Sequence, residues 1–466
     1  MNMRTSKWSC VALVWACAGA VVVATPGCHN SSVVGEGGSA GQGGSAGQSA
    51  SGGNAGSKSN GGSSASGGAG GSSGAAGSCP GATTPIFSGE YTSSCASPLW
   101  SDQLGTPENE GAIAAYAEGA AVFVATITNG NLDGQNQGGR DVSLKKYTDR
   151  GELLWGTQYG TAGTDTAESI QTGRGDMVWL AGYTQGTLVE DDELARYNGV
   201  ELYVRAFQGT GSVVWTRQIG ASEGLTGRIV NGPTDTEVTL FGSVEGEWMG
   251  QPSPGYRASY AARFGSGGEL LWSSLLAPDA RGDFSDAKLD QEGNLIAVGR
   301  VEAQAGSWRP TLLTLDPQGN EIAREALSEL RGVPVSLQLG NQGERYIGSY
   351  TDGVQQYLSK YAADGSFLWD FSAGQDGFRA APLPDQTVLL VSYNGIGVSV
   401  LNRDGEVVSV SQLGTSGTRL YSLDVWPNDG SLLFAGQTLD ALNGFTSAGG
   451  QDGFVFRVNS SALLPK

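Results

Sequence analysis

Residue types that could carry chemistry are unevenly spread along this sequence. The only histidine, His29, lies near the N-terminus, ahead of a Gly- and Ser-rich stretch. Serine or cysteine nucleophiles activated by histidine, and zinc sites bound through histidine, are therefore excluded from the long C-terminal part of the chain. Carboxylates are plentiful there, and two of them could carry out glycoside hydrolysis. Their spacing singles out no pair.

One acidic run and two tryptophans stand apart from the regular pattern of the chain. Clustered carboxylates can ligate calcium through oxygen, and an exposed indole can stack on a sugar ring. These residues predict a binding face for a protein or a glycan, with Ca²⁺ as a candidate cofactor; they are Glu190, Asp191, Asp192, Glu193, Trp248 and Trp308. Two alternatives stay open: the acidic run can be a solvated loop, and the two indoles can fold back onto the body.

The N-terminus has the layout of a secretory signal over residues 1–27. Two positive charges precede an apolar run from Trp8 to Val23, which is too short for a stable membrane span. Shortly after the run, Gly27-Cys28 resembles the lipobox of bacterial lipoproteins, where the cysteine is acylated. We expect a lipid on Cys28 and an exported protein anchored at the outer membrane or cell surface. Cleavage near Ala24, giving a secreted protein, is the alternative.

Two cysteines remain for the mature body, because Cys10 and Cys17 lie inside the signal. Cys79 and Cys95 fall in a lead-in segment, residues 79–96. An even remainder in an exported chain indicates one disulfide between them. Two unpaired thiols are the alternative.

Residues 28–78, between the signal and the lead-in, have the composition of a flexible tether. From Ser31 onward they are almost wholly Gly, Ser and Ala, which cannot repay the entropy of ordering, so we expect a disordered stalk. Its root-mean-square span is about 40 Å.

The formal net charge of −19 disfavours binding to phosphate backbones and to anionic lipids. We therefore expect a monomer with no nucleic-acid partner and with membrane contact through the anchor alone.

After the tether, one pattern returns with fixed internal spacing. A large apolar residue is followed four positions later by Gly and after four more by Trp, as in Tyr147, Gly151 and Trp155. Further copies place Trp215, Trp272 and Trp369, or the replacements Ala323 and Ser409, at the last position. An alternating segment that runs into a Gly-containing turn and returns is typical of a tight β-hairpin. A Trp that recurs once per repeat indicates packing between neighbouring sheets.

Two more short strands precede each hairpin, so every repeat supplies four strands, here called a, b, c and d, with Trp on d. The groups begin near residues 111, 166, 226, 284, 333, 378 and 418. Residues 97–466 thus form seven repeats of about 52 residues, a length in the range of propeller blades. The sequence predicts an all-β, seven-bladed β-propeller.

The repeat resembles the bacterial β-propeller repeat known as SBBP. That family has a Gly-x-Thr-x-Gly-like end of strand b, matched by residues 182–186, and an Asp-Ala-Phe-Val-like strand c, matched by Asp452-Gly453-Phe454-Val455. The resemblance spans nearly the whole body, and blades 4 to 6 depart from it most. It implies a propeller fold and a cell-surface location, and it fixes no single activity.

Variation in loop length predicts where a ligand would bind. Loops between strands b and c share one face of a propeller with the d-to-a crossovers, and here they range from residues 393–395 to residues 184–200. The turns on the other face are short and uniform. The b–c face is therefore the predicted binding surface of a non-catalytic binding or scaffolding module. A carbohydrate-active or other hydrolytic enzyme that uses carboxylates is the alternative.

Counting strands also predicts how the ring closes. The seventh repeat has strands a, b and c but no strand d, whereas Leu99 to Leu104 look like a strand d without a preceding group. An open ring would leave two unpaired sheet edges. We expect Leu99 to Leu104 to pair with strand c of the last blade, with Trp100 in the slot of the hairpin tryptophans.

Overall fold

The computed structural model describes residues 97–466 except 118–120, 174–176, 197–198, 221–224, 232–235, 253–256, 352–353, 427–428, 443–444 and 465–466. It also describes three short strands, Ala16–Cys17, Ala20–Val21 and Ser93–Ser94. The predicted tether, the lipidation site Cys28 and the cysteines Cys79 and Cys95 lie outside the described residues, and those expectations stay predictions.

The body consists of seven antiparallel four-stranded sheets, which confirms the seven-bladed propeller. Blade 1 contains Glu110–Ala117, Ala121–Thr128, Asp141–Thr148 and Leu153–Tyr159. Blade 2 contains Ser169–Thr172, Val178–Thr184, Glu201–Phe207 and Val213–Ile219. Blade 3 contains Leu225–Asn231, Val238–Val244, Ala258–Phe264 and Leu270–Leu275, with a small hairpin, Glu247–Trp248 and Gln251–Pro252, between its strands b and c.

The remaining blades have the same order of strands. Blade 4 contains Gly282–Leu289, Leu295–Gln304, Ser307–Leu315 and Glu321–Ala326. Blade 5 contains Val333–Leu339, Arg345–Tyr350, Gln356–Tyr361 and Phe367–Gly374. Blade 6 contains Phe378–Pro382, Val388–Ser392, Gly397–Leu401 and Val407–Gln412, with Ser93–Ser94 parallel to its outer strand. Blade 7 contains Thr418–Val425, Leu432–Thr438, Asp452–Val458 and, from the start of the body, Trp100–Leu104. A 3-10 turn at Ser460–Ala462 is the helical element of the described body.

Burial follows the position of each strand within its blade. Strands b and c have a neighbouring blade on each side, and every residue of Glu201–Phe207 is buried. Strand d lies at the perimeter, and no residue of Leu153–Tyr159 is fully buried. The short continuous apolar runs of the sequence are thus the middle strands of the blades.

The hydrophobic core is divided into seven clusters, one at each junction between neighbouring blades. The cluster between blades 7 and 1 joins Val455 and Leu104 to Val122, Val124 and Tyr147. Because this junction has a core like the others, the ring is closed by side-chain packing as well as by backbone pairing.

The tryptophan of strand d fits against the hairpin glycine of the following blade. Gly211 has a φ of +88°, and a β-carbon added there would lie 3.1 Å from the Trp155 ring. The Trp155 indole donates a hydrogen bond to the carbonyl of Gly209, 2.9 Å away, in the same turn. The same indole-to-turn bond recurs at Trp215, Trp272 and Trp369. The glycine of the repeat is therefore needed both for its left-handed backbone and for close approach of the indole, and the predicted packing role of the tryptophans is confirmed.

The predicted ring closure is also confirmed. Strand Trp100–Leu104 pairs antiparallel with Asp452–Val458, from Trp100 opposite Arg457 to Leu104 opposite Gly453. Trp100 packs on Gly151, as the other tryptophans pack on their glycines. One detail differs: the carbonyl of Asp149 accepts a 2.9 Å hydrogen bond from Arg457, and the Trp100 indole nitrogen is buried without a partner.

Candidate functional site

The b–c face has a long-loop side and a short-loop side. Blades 4, 5 and 6 connect strands b and c through residues 305–306, 351–355 and 393–396. Blades 7, 1, 2 and 3 use residues 439–451, 129–140, 185–200 and 245–257. These four long loops belong to consecutive blades on both sides of the closure, and we call them the loop arc.

A glutamine on strand d holds each of three loops of the arc. In blade 1, the Gln158 side chain accepts a hydrogen bond from the backbone of Leu132 (2.9 Å) and donates to the carbonyl of Gly130 (3.0 Å). Gln218 makes the equivalent bonds to Leu188 and Gly186. Gln103, on the closing strand, makes them to Leu442 and Asp440. We call this arrangement the glutamine clamp.

A carboxylate at the first position of strand c completes each clamp. Asp141 accepts from the backbone of Gln137 (3.0 Å) and from the Gln158 side chain (3.1 Å). Glu201 accepts from Arg196 and Gln218, and Asp452 accepts from Ala448 and Gln103. All three acids are 0–1% exposed. Their role is to fix the loops, because backbone and amide donors occupy one or both of their oxygens.

The Gly-x-Thr-x-Gly segment of strand b has a structural explanation in the same region. A β-carbon on Gly182 would lie 1.9 Å from the carbonyl of Thr166, so only glycine lets the segment before strand a approach so closely. The Thr184 hydroxyl accepts a 3.0 Å hydrogen bond from the backbone of Gly186 and caps the first turn of the loop. Thr128 and Thr438 cap the loops of blades 1 and 7 in the same way.

Neighbouring members of the arc also contact one another. Gln451 donates to the side chain of Asn109 in the crossover before blade 1, and Gly139 donates to the carbonyl of Gly163 in the crossover before blade 2. Gln185 bonds to Thr164 in that same crossover. Arg196 of blade 2 forms a 3.5 Å ion pair with Glu247 of blade 3. The arc is therefore one continuous surface.

The acidic run lies in the blade 2 loop, but its four members have different environments. Glu190, Asp191 and Glu193 are exposed. Asp192 is 8% exposed and accepts hydrogen bonds from the backbones of Leu194 and Gln218, 3.0 and 3.1 Å away. Three of the predicted residues are therefore presented to solvent, and Asp192 is corrected to a structural residue of the loop.

Trp248 is the second correction to the predicted surface. Its side chain is fully buried, belongs to the core between blades 2 and 3, and stacks on Tyr260 with a centroid distance of 3.6 Å. A small hairpin with Met249 at a φ of +46° turns the residue inward. Trp248 is therefore not available to stack on a ligand. Its indole folds back onto the body, which is the alternative that the sequence left open.

Trp308 lies on the short b–c hairpin of blade 4, outside the loop arc, and is partly exposed. The guanidinium groups of Arg300 and Arg281 lie 4.8 and 5.6 Å from the centre of its ring. The structure therefore does not bring Trp308 together with the acidic run, since the two belong to different blades.

The closure junction contains a polar cluster that sequence analysis missed. The Tyr147 hydroxyl donates a 2.8 Å hydrogen bond to Asp102 of the closing strand, and Lys145 pairs with Asp133 of the blade 1 loop. Burial raises the pKa of Asp102, and burial next to that carboxylate raises the pKa of Tyr147. The cluster links the loop of blade 1 to the closing strand.

A cationic side chain of blade 3 interacts with acidic side chains of blades 2 and 4. The Arg228 guanidinium of blade 3 lies 3.4 Å from the Asp286 carboxylate of blade 4. Burial raises the pKa of Glu168 in blade 2, and the positive charge of Arg228 reduces that rise. Asp286 also accepts a 2.9 Å hydrogen bond from the backbone of Leu337 in blade 5. Within the described part of the chain, no three His, Cys, Asp or Glu side chains are grouped to hold a metal ion.

A second repeat in the sequence could have located the clamps. Gln, an apolar residue and Gly recur at the end of strand d, at Gln103-Leu104-Gly105, Gln158-Tyr159-Gly160, Gln218-Ile219-Gly220 and Gln412-Leu413-Gly414. In the first three, the glycine lies against the acid that begins strand c. The fourth belongs to blade 6, whose b–c loop is short, and there Gln412 donates to the carbonyl of Gly395 in that loop and to the carbonyl of Gly414.

No helix among the described residues is long and apolar enough to cross a membrane.

Comparison with known proteins leaves the family open. No family model matches the chain, and no curated protein matches it. Among solved structures, the chain is similar to a crystal structure of a protein of unknown function from Bacteroides caccae, with 12% sequence identity and a TM-score of 0.36. The match covers 52% of this chain and 80% of the other. The assignment of the propeller fold rests on the strand pairing described above.

Proposed function

We propose that the protein is a non-catalytic binding or scaffolding module for a surface protein or a glycan, and that the loop arc is its binding surface. The observation that carries the proposal is the glutamine clamp, because it fixes three neighbouring long loops in place. A loop that is already ordered loses little conformational entropy when a ligand binds, which favours affinity. Loops held on a rigid scaffold are also where binding residues are concentrated.

The exposed chemistry of the arc indicates the kind of ligand. Glu190, Asp191 and Glu193 place three carboxylates on one loop. Such a group attracts a cationic protein surface. Because the three carboxylates are not grouped to hold a metal ion by themselves, Ca²⁺ would bind here together with a glycan whose hydroxyl groups supply the other ligands. A calcium-assisted glycan site and a basic protein partner are thus the two ligands that the proposal includes.

The proposal also covers how the module is displayed. A lipid on Cys28, the Gly- and Ser-rich stalk and a disulfide between Cys79 and Cys95 would hold a monomeric propeller away from a bacterial outer membrane or cell surface. The resemblance to SBBP repeats is in keeping with a surface location. Labelling of cells with a radioactive fatty acid tests the anchor, and a Cys28→Ser variant that still carries the label would contradict it.

Binding is tested with a triple variant, Glu190→Ser, Asp191→Ser and Glu193→Ser, which leaves Asp192 and the clamps in place. The matched control replaces three exposed acids on the opposite face, Glu152, Glu292 and Glu406, by Ser. Both variants change the net charge equally. We expect the arc variant alone to lose binding on a glycan array and to a panel of basic proteins, measured with and without calcium.

Equal binding by the two variants would refute the arc as the binding surface. Hydrolysis of a bound glycan during incubation would instead favour the alternative, a carbohydrate-active enzyme that uses carboxylates.

A further inference from the structure

A cationic side chain from strand c occupies a recurring position at four of the blade junctions. Lys146, Arg263, Lys360 and Arg457 each donate to a backbone carbonyl of a neighbouring hairpin turn, on the face opposite the loop arc. The two arginines are held by short hydrogen bonds. Arg263 bonds to Pro317 at 2.7 Å, and Arg457 bonds to Ser431 at 2.7 Å.

Lys360, between blades 5 and 6, makes longer hydrogen bonds than the two arginines do. Its residue is 2% exposed, and its ammonium group lies 3.3 Å from the side-chain oxygen of Gln386 and 3.4 Å from the carbonyl of Arg403. Both distances exceed the usual range of about 2.7–3.2 Å for a hydrogen bond from nitrogen. Burial lowers the pKa of Lys360, because the charged form is poorly solvated there. The ammonium can therefore still gain from a stronger acceptor.

A cleft of about 400 Å³ opens beside this ammonium. This volume is in the range of ligand pockets in proteins. Leu368 and Trp369 form its apolar wall, and Lys360, Gln386, Arg403 and Asp404 supply its polar groups. The Leu368 residue is 50% exposed, and the side chains of Arg403 and Asp404 are 75% and 67% exposed.

We propose that this cleft binds a sugar that carries a carboxylate, a uronic acid residue of a glycan. The Lys360 ammonium and the Arg403 guanidinium hold the carboxylate. Asp404 and Gln386 bond to ring hydroxyls, and the apolar wall of Leu368 and Trp369 packs against the C–H face of the ring. This inference rests on the proposed glycan-binding function and places a second site on the opposite face.

The test measures binding of glucuronic acid and glucose to the full chain by calorimetry. We expect glucuronic acid to bind and glucose to bind more weakly. A Lys360→Met variant, which keeps the length and apolar stem of the side chain, should lose about tenfold or more in affinity, since a charge-assisted bond is removed. Lys146→Met, at the equivalent junction position of blade 1, is the matched control and should bind as the wild type does.

An Arg403→Ala variant provides the same test without any change in the core, because this side chain is exposed, and it should also weaken binding. Equal affinity of the wild type, Lys360→Met and Arg403→Ala would overturn the proposal, and so would the absence of glucuronic acid binding. The triple variant of the loop arc separates the two sites. If it loses array binding while no chain binds glucuronic acid, the proposed function stands and this inference fails.

Discussion

Replacement of Gly151 by Ala tests whether the closing strand occupies the same position as an ordinary strand d. Gly151 has a φ of +82°, and its new β-carbon would lie 2.7 Å from a ring carbon of Trp100. A left-handed backbone costs an L-residue about 1–2 kcal/mol. Overpacking against the indole adds about 1–3 kcal/mol. We therefore expect the free energy of unfolding to fall by about 2–5 kcal/mol.

Gly306→Ala provides the matched control. Gly306 has a φ of +80°, but no atom lies within 4 Å of its added β-carbon, so that only the backbone cost of about 1–2 kcal/mol applies. In a Trp100→Ala background the Gly151 replacement should cost no more than this control. Urea unfolding of the four variants, followed by far-UV circular dichroism, measures the differences. If Gly151→Ala and Gly306→Ala have equal costs in the wild-type background, Trp100 does not pack on Gly151 and the account of closure is wrong.

Three further outcomes are expected. The pKa of Asp102 is raised in the folded state, so the contribution of Asp102 to the free energy of unfolding falls as pH rises from 3.8 through the raised pKa. Asp102→Asn should flatten this pH dependence in thermal melts recorded at a series of pH values. The pKa of Asp279 is lowered by its hydrogen bond from Arg324, so the contribution of Asp279 rises with pH instead. Trp248→Ala should lower the free energy of unfolding by about 3–5 kcal/mol and Trp308→Ala by about 1 kcal/mol in urea titrations. Gln218→Ala should speed amide hydrogen exchange across residues 185–200 more than in the rest of blade 2, and uniform exchange would contradict the clamp.

The fold could be predicted from the sequence because each blade repeats the same local rules. The hairpin spacing, with Gly151 and Trp155 as one example, identifies strands c and d, and buried apolar runs identify strand b. The observed strand b of blade 2, Val178–Thr184, ends within the Gly-x-Thr-x-Gly segment, as the sequence predicts. In blade 4, strand b extends to Gln304 because a two-residue turn joins it directly to strand c.

The candidate site could be predicted only in part, because loop side chains are positioned by contacts that are distant in the sequence. Trp248 is buried because Tyr260, on the next strand, offers its ring for stacking. Asp192 is buried because the backbone of Gln218 and the guanidinium of Arg217 lie beside it. Composition marks both residues as surface groups. The clamp glutamines could have been predicted, because Gln-x-Gly recurs in the sequence at the end of strand d.

Because the first strand of the body pairs with the last, the ring can close only after both strands have been synthesised. Gln103 and Asp452, which bond across this pair, are 349 residues apart. A chain that leaves a ribosome or an export channel N-terminus first can form six blades while Trp100–Leu104 still lacks its partner. Contacts of such long sequence separation carry the largest loop-closure entropy and form late.

The first strand of the body therefore stays unpaired until strand Asp452–Val458 of blade 7 has been made. A chain released before Asp452 has neither the junction core between blades 7 and 1 nor the glutamine clamp of blade 7, and its strand edges stay open to proteases and to other chains. Only a complete body acquires both at once. Closure thus requires that all seven blades are present, because strand Asp452–Val458 supplies the partner of the first strand of the body.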